Sequence, residues 1–164
     1  VIKIDLKQEW IDWAKEVAED TEQISDNSHM KNERRDIGFL GEYIVEQWFE
    51  KGRMKYVDGY DYDFILDDEI TVDVKSKGVK SIPKGHHEAS VSKYYRQKCD
   101  MYIFVRINLK IKKAWIVGWS SNEDFHNEAE YGRKGSVRGS NKMKVRQDSY
   151  FLPIKKLEPI EELV

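Results

Sequence analysis

The chain has 164 residues and a mass of 19.4 kDa, the size of one domain able to bury about 70% of its unfolded-chain surface without a disulfide or structural zinc. Hydrophobic residues make up 40% and charged residues 35%, too apolar a mixture for a disordered chain; no run approaches the roughly 18 apolar residues of a membrane span. The net charge of −2 is unevenly spread: residues 1–30 hold eight acids against three bases, whereas residues 131–147 hold six bases and no acid, an asymmetry that points to a polyanionic partner.

Val1 to Asp20 carries charges throughout and lacks the apolar stretch of a signal peptide. A single cysteine, Cys99, excludes an internal disulfide framework and predicts a reducing, cytoplasmic setting. Leu6, Trp10, Trp13, Ala14, Val17 and Ile24 follow helical spacing and predict an amphipathic helix over 6–24. Residues 25–32 have loop chemistry. A second helix is predicted over 33–50, with Ile37, Leu40, Ile44 and Trp48 as its apolar stripe and Gly52 at its stop. Gly38 and Gly41 inside it cost about 1 kcal/mol each relative to Ala, which close approach of another backbone would explain.

The period then changes to two. Strands are predicted at 54–57, 63–66 and 69–75, the last two joined by the acidic tip Asp67-Asp68-Glu69. A loop at 78–89 leads to a short helix over Ser90–Lys98, in which Val91, Tyr94 and Tyr95 face the core and Ser92, Lys93, Arg96 and Gln97 offer polar contacts. Met101 to Ile107 reads as a buried central strand, and Lys112 to Trp119 as its antiparallel partner, with Trp115 and Trp119 on one face. A helix over 121–130 capped by Ser121 or Asn122, a basic Gly/Ser loop over 131–142, a strand over 145–154 and a closing turn at 159–163 complete an α/β or α+β chain built on a mixed sheet.

The residues able to carry chemistry cluster in the predicted hairpin. A three-residue loop at 67–69 pairs Leu66 with Ile70 and so sets Asp63 opposite Asp73, on one face and about 5 Å apart at Cβ. Lys75, two residues on, shares that face. Paired acids repel unless protonated or bound to a cation. Carboxylate and carbonyl oxygens suit Mg²⁺ or Mn²⁺, ions that can polarise a phosphoryl oxygen and lower the pKa of a bound water. The commoner origin of such residues is a solvated sheet face.

Together, Gly38-Phe39-Leu40-Gly41-Glu42 in a helix, Asp61-Tyr62-Asp63-Phe64-Ile65-Leu66 on one strand and Thr71-Val72-Asp73-Val74-Lys75 on the next resemble the PD-(D/E)XK nuclease superfamily. The resemblance covers about residues 33–107 and implies a restriction-endonuclease-like core in the order α-β-β-β-α-β. It implies that Asp63 and Asp73 bind the metal with the Val74 carbonyl. Lys75 would then position the attacking water, and Glu42 would bind the metal directly or through water. Tyr62 stands where the family commonly has Pro, and Asp73 replaces the more usual Glu. Asp61 shares a face with Asp63 and is the alternative first ligand; Asp63 is preferred because it abuts the apolar strand.

The function expected is that of a Mg²⁺-dependent DNA endonuclease, acting as a monomer or a homodimer. Arg133, Lys134, Arg138, Lys142 and Gln97 are the expected nucleic-acid contacts. The chain is read as one nuclease-like domain over 1–164, with the helix at 6–24 before the core and the strands and basic loop of 110–164 after it. Alternatives are a Holliday-junction resolvase of the same superfamily and a catalytically silent nucleic-acid-binding module. His86-His87 read as loop residues, since adjacent histidines point apart, and His29 and His126 have no visible partners. No dinucleotide fingerprint, P-loop or nucleophile elbow occurs.

Overall fold

The computed structural model describes residues 1–164 except 23–33, 58, 60, 94–97, 140 and 141. The expected mixed α and β class is what it shows. A six-stranded sheet has the order β1-β7-β6-β4-β3-β2, formed by β1 (Ile2–Asp5), β2 (Met54–Tyr56), β3 (Phe64–Leu66), β4 (Ile70–Gly78), β6 (Met101–Asn108) and β7 (Lys113–Ser121). All neighbours in it are antiparallel except β4 and β6, which run parallel. A second sheet, β5-β11-β8, combines β5 (Glu88–Ser92), β8 (Glu130–Gly132) and β11 (Ser149–Pro153). A small ribbon pairs β9 (Val137–Arg138) with β10 (Met143–Lys144). Among the described residues no helix is long and apolar enough to cross a membrane.

The large sheet divides two cores. On one face Val72, Val74, Met101, Ile103 and Val105 pack with α1 (Gln8–Glu22) and α2 (Arg35–Trp48) through Ile11, Ala14, Ile37, Leu40 and Ile44. The 3.6-residue period of α2 makes that stripe, and its predicted members Ile37, Leu40 and Ile44 are buried. On the other face Tyr102, Phe104, Trp115 and Val117 meet Ala89 and Val91 of β5, Leu152 of β11 and Phe125. Phe125 lies on α3 (Asn122–Glu128), whose first turn is capped by the Ser121 hydroxyl accepting from the Asp124 N–H at 3.0 Å. Every residue of β6 is buried, as a strand covered on both faces requires.

Several expectations are corrected. Residues 2–5 form an edge strand, paired from Ile2↔Ile116 to Asp5↔Lys113. The helix expected over Ser90–Lys98 is not helical at its start: Ala89 and Val91 are fully buried while Glu88, Ser90 and Ser92 are half-buried. That is a period of two, satisfied by pairing with β11. Residues 94–97, including the predicted Gln97 contact, lie outside the described residues. The segment 131–142 contains strand pairing rather than loop alone. The last long strand is shorter than 145–154. Trp115 and Trp119 face opposite cores, because a bulge at Val117 (Phe104 opposes Gly118, Val105 opposes Ile116) inverts the alternation between them. Gly118 there has φ +146 and a Cβ would stand 2.7 Å from Leu157 Cβ.

The two helix glycines also differ. A Cβ on Gly38 would meet nothing within 4 Å, whereas one on Gly41 would stand 1.7 Å from Ser76 Oγ and 2.8 Å from Ser76 Cβ. Gly41 therefore lets α2 seat on β4, against a side chain rather than the expected backbone. Gly41→Ala, which in an open helix stabilises by about 1 kcal/mol, should here destabilise by about 1–3 kcal/mol through overpacking. Gly38→Ala should not. Urea denaturation of the two variants checks this.

Candidate active site

The hairpin that carries the acids has the expected register: Phe64↔Val72, Ile65↔Thr71 and Leu66↔Ile70. Its tip is a tight turn closed by the Glu69 N–H donating to the Leu66 carbonyl at 3.1 Å. Asp67 and Asp68 take positive φ of 52 and 59, a pair of values that acidic turn residues tolerate and that matches strand twist. Arg53 holds Asp67 through two nitrogens, at 2.8 and 2.7 Å, and Lys55 pairs with Asp68. The acidic tip is thus spent on structure, and the register leaves Asp63 immediately beyond the ladder.

There the backbone of Asp63 is pinned on both sides: its N–H donates to the Val72 carbonyl at 2.9 Å, and its carbonyl accepts from the Val57 N–H at 2.8 Å. Its carboxylate Oδ2 accepts from the Val74 N–H at 2.8 Å. Asp63 therefore reaches across to β4, between Asp73 and Lys75. Asp61 is half-buried two residues before it. On β4 the alternation sends Val72 and Val74 into the helix-side core and Asp73 to the opposite face. Asp73 is only 2% exposed, and its Oδ2 lies 2.7 Å from Lys75 Nζ. Glu42 follows Gly41 on α2, and the close Gly41–Ser76 seat sets it within the field of all three groups.

The electrostatics follow from crowding carboxylates out of water. Burial pushes Glu42 up to about 8, with the charges of Asp63 and Asp73 adding to it and Lys75 opposing. Burial pushes Asp63 up to about 7, reinforced by Asp73 and opposed by the Val74 N–H and by Lys75. Glu42, Asp63, Asp73 and Lys75, drawn from a span of 34 residues, thus lie within one another's electrostatic reach. Among the described residues no group of three His, Cys, Asp or Glu side chains is placed so as to hold a metal ion. The donor set is nevertheless of hard oxygens, the type that Mg²⁺ and Mn²⁺ take, and its mutual repulsion is what a divalent cation would relieve.

The expected nucleic-acid contacts are dispersed. Arg133, Lys134 and Lys142 are exposed. Arg138 is a clamp: its guanidinium holds both carboxylate oxygens of Glu88, at 3.1 and 2.8 Å, and Glu130 at 2.8 Å, and lies over the Phe151 ring. Two neighbours escaped the sequence reading. Cys99 is buried on the Asp73 side, where burial, aided by Asp73, pushes its thiol up to about 11, so it stays a thiol. His126 has a partner, the Tyr102 hydroxyl, 3.2 Å from Nε2. The parallel register Asp73↔Tyr102 is the link, and a long-range pairing leaves no local sequence signal.

The raised carboxyls fix a pH dependence. Folding raises Glu42 from 4.5 to about 8 and Asp63 from 3.8 to about 7, so between those limits the folded chain holds protons that the unfolded chain has released. Stability in EDTA should therefore fall as pH rises from about 4 to about 8. Glu42→Gln should flatten that fall and be the more stable protein at the alkaline end, as read by urea titrations across the range.

No protein-family model matches the chain, and no curated protein matches its sequence.

Proposed function

We propose that the chain is a metal-dependent nuclease that hydrolyses DNA phosphodiesters at the Glu42–Asp63–Asp73–Lys75 cluster. The observation that carries this reading is the convergence of a hairpin Asp, an Asp-x-Lys strand and a helix Glu on one spot, with the Asp63 carboxylate bonded to the backbone between Asp73 and Lys75. A solvated sheet face accounts poorly for it, because Asp73 is buried and burying carboxylates together costs free energy unless something compensates.

Asp63 and Asp73, with the Val74 carbonyl, would hold Mg²⁺ or Mn²⁺, and Glu42 would complete the oxygen set. The ion, when bound, supplies charge neutralisation and acidifies water. The chain's own residues supply the rest. Lys75, held beside Asp73, carries the ammonium that orients a water toward phosphorus and offsets the negative charge that builds in the transition state. Asp63 is fixed in direction by its backbone bond, so little reorganisation is needed when substrate arrives. The exposed cations Arg133, Lys134 and Lys142 suit sequence-independent grip on phosphates. The restriction-endonuclease-like core belongs to the same proposal: the three-strand meander and the parallel β4–β6 pair support it, and the connection between β4 and β6 departs from the family order in carrying strand β5.

Asp73→Asn should abolish Mg²⁺-dependent cleavage of duplex DNA, by about 100-fold or more, while circular dichroism shows the fold intact. The same variant should lose Mn²⁺ uptake in calorimetry. Cleavage at the wild-type rate by purified Asp73→Asn would overturn the assignment. DNA binding by the wild type with no metal uptake and no cleavage would leave a binding module instead.

A further inference from the structure

We propose that Lys77, Arg106 and Arg146 form a phosphate seat that holds the nucleic-acid backbone a few nucleotides from the acid cluster; this rests on the nuclease reading above. Strand alternation continues the face of Asp73 and Lys75 to Lys77. Four residues at about 3.3 Å each place Lys77 about 13 Å along β4 from Asp73, a span of a few phosphates, since a duplex strand advances about 3.4 Å along its axis per phosphate. In the parallel pairing Lys77 stands opposite Arg106 of β6, with their backbones about 4.8 Å apart. Two like charges facing each other on neighbouring strands destabilise a sheet.

Among the described residues no acid is placed to pair with them, and none of the three cations is in an ion pair. Arg106 is 4% exposed and its guanidinium donates to two backbone carbonyls, Glu88 at 2.9 Å and Val105 at 3.3 Å. Glu88 is the acid whose field reaches Lys77, and Arg138 occupies both its oxygens. Arg106 thus keeps a net positive charge beneath the surface, fixed by carbonyls, while Lys77 and Arg146 are exposed above it.

The field is felt nearby. Although Lys77 is exposed as a residue, partial desolvation of its ammonium lowers its pKa, and Arg106 and then Arg146 lower it further. Arg106 and Lys77 are among the cations that, after burial, depress His87. Lys77 Nζ also reaches the Met143 sulfur at 3.8 Å, so the β9–β10 ribbon borders this face, and Arg146 follows three residues after that contact. An anion with successive charges along a flexible chain fits such a row better than a single compact anion. The row starts beside the cluster that would cut it.

The test is fluorescence anisotropy with a short fluorescein-labelled DNA duplex in Ca²⁺, titrated with salt. Lys77→Gln and Arg146→Gln replace exposed side chains and should leave the melting temperature unchanged. Each should reduce the log–log salt slope by about 0.9, and the double variant by about 1.8. Lys77→Glu should weaken binding more than Lys77→Gln, and Lys15→Gln, on the exposed side of α1, should change nothing. Wild-type slopes in the double variant, with Mg²⁺ cleavage retained, would overturn the seat and leave the nuclease reading standing. A wild type that neither binds nor cuts the duplex would overturn both.

Discussion

The bond from the Val74 N–H to the Asp63 carboxylate, 2.8 Å long, is the contact on which the candidate site depends. At that point the hairpin ladder has ended, and β4 would present an unmatched N–H at depth in the fold. A buried N–H without a partner costs about as much as a lost hydrogen bond. Asp63 supplies the partner with a side chain instead of a strand. The same act brings its negative charge between Asp73 and Lys75. Strand termination and assembly of the acid cluster are therefore one event, and neither could be changed without the other.

β4 then acts as the divider of the molecule. Val72, Val74 and Ser76 look toward α2, and the apolar pair and the tight Gly41–Ser76 seat hold the helix there. Asp73, Lys75 and Lys77 look the other way, passing from acid to base along one strand. The two-residue period is indifferent to charge; it lets one strand serve a dry core with one set of residues and a polar row with the other. Its parallel pairing with β6 is what puts a deep cation, Arg106, beside the basic end.

The second face is closed by the small sheet. Ala89, Val91 and Leu152 fill the core over Tyr102 and Phe104, and the Arg138–Glu88–Glu130 cluster ties β9 to β5 and β8 across its rim. Arg138 lies over Phe151, so its pair with Glu88, half-buried on both sides, is better shielded from solvent than an ordinary surface pair, while Glu130 reaches it from the exposed rim. Its charge is consumed locally, which separates it from the exposed cations of the same basic segment.

Much was legible in the residues alone. Helical spacing at Ile37, Leu40 and Ile44 located α2, and the continuous apolar run at 101–107 located the doubly covered β6. The acidic tip determined the hairpin length, and through the exact two-residue period it determined the register that sets Asp63 against β4. These are local signals, set by neighbours a few positions away. What only the tertiary structure decided depends on distant chain. Residues 2–5 become a strand because β7, more than a hundred positions on, offers an edge. Residues 88–92 become a strand because β11 pairs with them, overriding a local pattern that also suits a helix. The Val117 bulge separates the two tryptophans that simple alternation joins. Glu42 gains its raised pKa, Arg106 its deep position and Arg138 its clamping partners from contacts between elements. Burial and pairing of charge are properties of the packed chain, and no residue carries them alone.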